Sequence, residues 1–192
     1  MTITNAYILI CVAVFIYINF ISKDDRDYTV MKVGALYPPK IREEHQYWRL
    51  IACNFIHENW LHLLMNMYCM YYMGNFFESL LGPLYYCGLL LFGGLASSLV
   101  TYLAPMYFPR LEYTVTIGAS GIFFAYIGAM IGLAFYQGGM FMEMLSSYSY
   151  MIIINIAFTL FTPNISKTGH FGGLLGGYLY TFLLYLLGVI GR

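Results

Sequence analysis

Four polar side chains stand in strongly apolar surroundings and carry the chemistry this chain offers. Ser120 lies in "VTIGASGIFF", His170 in "TGHFGG", and His62 and Asn66 in "HENWLHLLMN". A hydroxyl beside a neutral imidazole is the minimum apparatus for nucleophilic catalysis, because the imidazole takes the serine proton during attack and returns it to the leaving group. Hydrogen-bond donors near the reacting carbonyl then stabilise the oxyanion, and His62 and Asn66 are of the right types. Two readings of Ser120 compete. In one, small residues merely let helices pack. In the other, Ser120 is a nucleophile, and Gly118 and Gly121 give a substrate room to reach it.

The elements that must position these groups are membrane helices. The 192 residues are 60% hydrophobic and 9% charged, where soluble domains carry about 25% charged residues. The sequence predicts an all-α membrane protein, a six-helix bundle with one domain over 1–192. Its apolar segments fall at about 5–21, 60–81, 83–104, 116–136, 148–162 and 169–190, each read against a bilayer-spanning length of roughly 20 residues. The fifth is short. The first lacks a basic leader region and a cleavage site, so it is expected to anchor the chain. Net charge is zero, so nothing points to nucleic acid. Cys11, Cys53, Cys69 and Cys87 are widely spaced and expected to be free thiols.

Depth joins the four residues. Spans two, four and six must run in one direction, and His62, Ser120 and His170 each lie near the start of one. Asn66 sits about 6 Å deeper than His62, on the same face. His170, Gly173 and Gly177 share a face of the sixth span, and Gly121, Ala125, Gly128 and Gly132 form a stripe on the fourth. Such small-residue stripes let two helices approach closely. So packing itself is expected to bring Ser120 to His170. A triad would add a carboxylate, but spans four and six contain none, and Glu78 and Glu143 lie toward the other surface. Phe124, one turn below Ser120, is expected to stack on the His170 ring.

Other patterns fail. "HENWLH" is not HExxH, since His57 and His62 are five apart, about 140° around a helix. "GASG" is not GxSxG, because Ile122 takes the place of the second glycine. No metal site and no cofactor are expected. The basic residues Lys23, Arg26, Lys32, Lys40, Arg42 and Arg49 gather between the first two spans or at the edge of the second, with Arg110 and Lys167 on the same side and Arg192 opposite. By the positive-inside rule that side faces the cytoplasm.

With Trp48-Arg49, "HENWLHLLMN", "GASG" and "GHFGG" in this order, the chain resembles the rhomboid intramembrane serine proteases, in their minimal six-helix bacterial form, over nearly its whole length. The resemblance implies Ser120 as nucleophile and His170 as general base. It implies an oxyanion hole from His62, Asn66 and the Ser120 amide. His57 matches a supporting histidine, Glu78 a glutamate that ties helix ends together, and Arg49 a structural residue of the first loop. Phe124 stands where the family often has tyrosine. The implied substrates are membrane-anchored proteins, often single-span, cut where the helix unwinds easily. The implied location is a bacterial cell membrane with the N-terminus inside and the site opening outward, against the charge count. The fifth span, with Tyr148, Tyr150, Phe158 and Phe161, is the expected lateral gate. The first loop, with Tyr37-Pro38-Pro39, is expected to rest in the interface. A catalytically silent relative that binds membrane clients would have lost the serine or the histidine. A channel would need polar residues beyond one side.

Overall fold

The computed structural model describes residues 1–163 and 165–191, so Arg192, the one cation expected opposite the others, lies outside the described residues. Among the described residues there are nine α-helices. α1 (Ile3–Ile16) continues as a π-helical stretch to Ile21. α2 (Arg26–Val33), α3 (Pro38–Arg42) and α4 (Arg49–Ala52) are short helices of the long first loop. α5 (Trp60–Cys69) is capped by the Asn59 side chain, which accepts from the His62 amide. It runs through a π-helical stretch into α6 (Asn75–Leu103). α7 (Ser120–Gln137), α8 (Gly139–Phe161) and α9 (Lys167–Leu186) follow.

Among the described residues four helical runs are long and apolar enough to cross a membrane: Ile3–Ile21, Trp60–Met106, Ser120–Gln137 and Gly139–Phe161. The second has 47 residues, roughly 70 Å of helix against a hydrocarbon core of about 30 Å. It bends at Gly82 (φ 74°, ψ 165°), directly before Pro83, where proline lacks a helix donor and its ring disfavours a helical predecessor. That is the point at which the sequence separates its second and third spans. α9 is 20 residues long, and its glycines dilute its apolar character.

Two expected boundaries are corrected. The fourth span starts at Ser120 rather than 116, because Thr116 pairs with Leu36 in an antiparallel bridge and Gly118 has φ +121°. The fifth is not short, for α8 begins at Gly139 and has 23 residues. Gly138 and Gly139 both adopt positive φ and reverse the chain at once. Within its first turns Ser147 Oγ donates to the Glu143 carbonyl at 2.9 Å.

The centre of the bundle is the α7–α9 seam. A Cβ on Gly173 would overlap the Gly121 carbonyl, one on Gly177 the Ala125 carbonyl, and one on Gly128 the Leu174 carbonyl. The two backbones therefore touch, as the stripes require. α6 packs on the other face of α9, where a Cβ on Gly176 would lie 2.5 Å from the Ala96 Cβ. At the end of the bundle remote from Ser120, Glu78 accepts from the Ile3 amide (2.8 Å), the Thr4 amide (2.9 Å) and the Thr4 hydroxyl (2.7 Å). These amides are free at a helix start, so Glu78 clamps α1 to α6. The four cysteines are free.

Gly173→Leu should therefore lower stability in detergent by about 1–3 kcal/mol or prevent folding, as overpacking does. Leu175→Ile, on the exposed side of α9, should change it by less than about 0.5 kcal/mol. Thermal unfolding of both variants checks this, and equal midpoints would show that the seam is not a backbone contact. Glu78→Ala should cost about 1–3 kcal/mol by leaving the α1 amides without an acceptor, read in the same assay.

Candidate active site

Ser120 is the first residue of α7, so its amide is one of the first-turn N–H groups the helix leaves unpaired. The His57 ring, fully buried, holds the preceding turn, with Nε2 accepting from the Ala119 amide at 3.4 Å. Burial pulls the His57 imidazole down to about 3, with the nearby His62 adding to the shift. It is therefore neutral, as an acceptor must be. His57 precedes α5 instead of sharing it, because the helix begins only after Asn59. The 140° separation expected for a continuous helix does not apply, and the His57 and His62 rings meet edge to face with centroids 5.2 Å apart. Even so, among the described residues no three His, Cys, Asp or Glu side chains gather as metal ligands.

His170 enters from the first turn of α9. Its Nε2 lies 2.8 Å from Ser120 Oγ. The Phe124 ring is stacked on the imidazole, with centroids 4.2 Å apart and planes at 15°. The ring is buried, and its Nδ1 lies 2.8 Å from Thr159 Oγ1 on α8. The sequence analysis missed Thr159. Its signal was a hydroxyl in the last turn of the fifth span, four residues after Asn155, at the same depth as His170.

His62 and Asn66 lie on α5, on one face as expected. Gly118 leaves open a small space between the two sides of the site. The point a Cβ would occupy there is 2.8 Å from His62 Nε2 and 3.8 Å from Ser120 Oγ. The imidazole of His62 and the hydroxyl of Ser120 thus border the same volume. His62 Nδ1 faces the Glu58 amide at 3.5 Å, an arrangement that makes Nε2 the N–H donor directed at that space. Asn66 is buried one turn below and gives one N–H of its amide to the His62 carbonyl at 3.0 Å, leaving the other.

Two supporting residues lie away from this cluster. Arg49 is buried in the first loop, donating from one guanidinium nitrogen to the Met31 (2.7 Å) and Ala35 (2.8 Å) carbonyls, and from Nε to Gln46 (2.7 Å). Those bonds fix the loop that carries Leu36, which pairs with the turn before Ser120. Glu78 is at the far end, with α1. The cluster thus unites Ser120, His170, Phe124, His57, His62 and Gly118, with Asn66 beneath, while Arg49 and Glu78 act on the frame around it. Gly173 belongs to the seam.

Comparison with known proteins places the chain in a family. Residues 44–187 match the family model of the Rhomboid domain. The chain is 33% identical over 161 residues to RHOMBOID-like protein 5 of Arabidopsis thaliana, covering 82% of this chain and 50% of that protein. It is 32% identical over 165 residues to RHOMBOID-like protein 7 of the same plant, covering 82% of this chain and 49% of that protein. It is 26% identical over 178 residues to Rhomboid protease GluP of Bacillus subtilis (strain 168), covering 92% of this chain and 34% of that protein. The chain spans about half the length, or less, of these curated relatives. With the matched domain covering most of its residues, and the helical bundle that domain implies, this membrane protein belongs to the rhomboid family.

Proposed function

We propose that this chain is an intramembrane serine endopeptidase that cleaves membrane-anchored proteins through Ser120 and His170. The observation that carries the reading is the 2.8 Å contact between Ser120 Oγ and His170 Nε2 inside a membrane bundle. Family membership supports it, since a relative, GluP, is named a protease. In the proposed mechanism Ser120 Oγ attacks a substrate carbonyl as its proton passes to His170 Nε2. The imidazolium then gives that proton to the leaving amine. Water enters and attacks the acyl-serine carbonyl as His170 accepts its proton, and His170 then returns that proton to Ser120 Oγ as the ester bond breaks and the acid product leaves. The oxyanion is met by the Ser120 amide, whose helix end favours negative charge, and by His62 and Asn66. No metal or cofactor takes part.

Because α7 and α9 enclose the hydroxyl, a substrate helix must unwind to present a peptide bond, which favours segments with helix breakers such as Gly and Pro. Substrates are thus membrane-anchored proteins, often of a single span, entering beside α8. The bundle is proposed to cross the membrane six times, with α5 and α6 counted as two spans. The N-terminus, held by Glu78, and the site lie at opposite ends, in keeping with a cytoplasmic N-terminus and a site opening outward. The alternative, a catalytically silent client-binding protein, is disfavoured because both dyad residues are present and in contact.

A fluorophosphonate probe should label the purified wild-type protein in detergent. Ser120→Ala should abolish labelling, and His170→Ala should lower it by about 10²–10⁴-fold, with both variants unfolding normally. Labelling of Ser120→Ala at the wild-type rate would remove the proposed nucleophile. Gly118→Ala forces a side chain into the left-handed region and into the space beside His62. It should slow labelling by about 10²–10³-fold, the usual effect of losing an oxyanion donor. An unchanged rate would place the oxyanion elsewhere.

A further inference from the structure

The sequence offers no carboxylate to orient His170, yet the ring is not left to stacking alone. We propose that Thr159, on α8, is the positioning residue of the base: its hydroxyl oxygen accepts the His170 Nδ1–H, fixes the tautomer with Nε2 unprotonated, and makes the base competent only while α8 is docked. This rests on the dyad reading above.

The proton inventory along the chain of contacts supports one direction. Thr159 Oγ1 lies 2.8 Å from the Asn155 carbonyl oxygen. Two oxygens at that distance need a proton between them, and only the threonine hydroxyl carries one. That proton is therefore committed to Asn155, and Oγ1 can only accept from His170 Nδ1, 2.8 Å away. The imidazole proton sits on Nδ1, so Nε2 carries a lone pair toward Ser120 Oγ at 2.8 Å. Ser120 donates to His170, His170 to Thr159, and Thr159 to the helix carbonyl. This is the tautomer a general base needs. When Nε2 takes the serine proton, the Nδ1–H bond becomes charge-assisted and strengthens. No proton leaves Nδ1, so the threonine plays the orienting part of a carboxylate without its charge.

The site of Thr159 matters as much as its hydroxyl. It is 1% exposed, yet it belongs to the helix least embedded in the protein. Among its described residues α8 buries only Phe141, Ile152 and Thr159, while Tyr150, Phe158 and Phe161 face outward. The buried Thr159 is thus the polar link between this outer helix and the catalytic ring. If α8 swings away, Nδ1 loses its acceptor and the ring loses its tautomeric bias.

The test compares Thr159→Val, which keeps the shape and removes the hydroxyl, with Thr159→Ser, which keeps the hydroxyl, and Thr159→Ala as a second deletion. The first readout is the rate of fluorophosphonate labelling. The second is the ¹⁵N spectrum of His170 in protein labelled at histidine nitrogens, assigned by the His170→Asn variant. Thr159→Val and Thr159→Ala should label about 10–10²-fold more slowly, Thr159→Ser should restore most of the rate, and unfolding midpoints should stay close to wild type. His170 should be the Nδ1–H tautomer in wild type and Thr159→Ser, and should show the Nε2–H form in Thr159→Val. The proposal is overturned if Thr159→Val keeps the wild-type tautomer, or if it labels at the wild-type rate. Should the wild-type protein fail to label, the dyad reading falls, and the tautomer measurement still decides the Thr159–His170 bond on its own.

Discussion

The structure depends on one contact, the direct meeting of the α7 and α9 backbones. Three glycines each lie where a single added carbon would strike a facing carbonyl. Inside a bilayer, lipid tails are as apolar as leucine, so helices gain little by hiding apolar surface from them. Close packing is what remains to hold helices together. The seam supplies that packing and, in doing so, sets the distance between the two reactive groups. With the two backbones held at that spacing, Ser120 Oγ and His170 Nε2 lie 2.8 Å apart.

The rest of the site is arranged around that seam by residues that spend their polar groups locally. His57 holds the turn before Ser120, Arg49 fixes the loop that pairs with it, and Asn59 starts α5 so that His62 and Asn66 face inward. His57 and Arg49 satisfy backbone groups that would otherwise be costly to bury, and Asn59 satisfies a first-turn amide. The same logic applies at the opposite end, where Glu78 takes three hydrogen bonds from the start of α1.

Much of this was legible in the sequence. Small residues at helical spacing announced the seam, because their effect depends only on periodicity. The shared depth of His62, Ser120 and His170 followed from counting spans, and the stacking of Phe124 from one helical turn. What stayed hidden has physical causes. Thr159 acts across two helices whose relative rotation no single periodicity reveals. The start of α8 is set by Gly138 and Gly139, whose positive φ turns the chain, a conformation that hydropathy does not report. The meeting of the His57 and His62 rings depended on a cap at Asn59, which breaks the helical count between them. The start of α7 at Ser120 likewise depended on a tertiary bridge between Leu36 and Thr116.

The seam also has a consequence for how such a chain can change over generations. The glycines that join α7 and α9 are distinct from the serine and histidine they bring together, and the latter pair adds one hydrogen bond to an interface already closed by backbone contact. A lineage can therefore lose the serine or the histidine and keep its architecture, with little pressure from folding to restore either. Loss of a seam glycine is a different event, since it removes shape and chemistry at once. Descendants in which that serine or histidine has drifted are thus expected to retain the stripes, and with them a closed, folded scaffold.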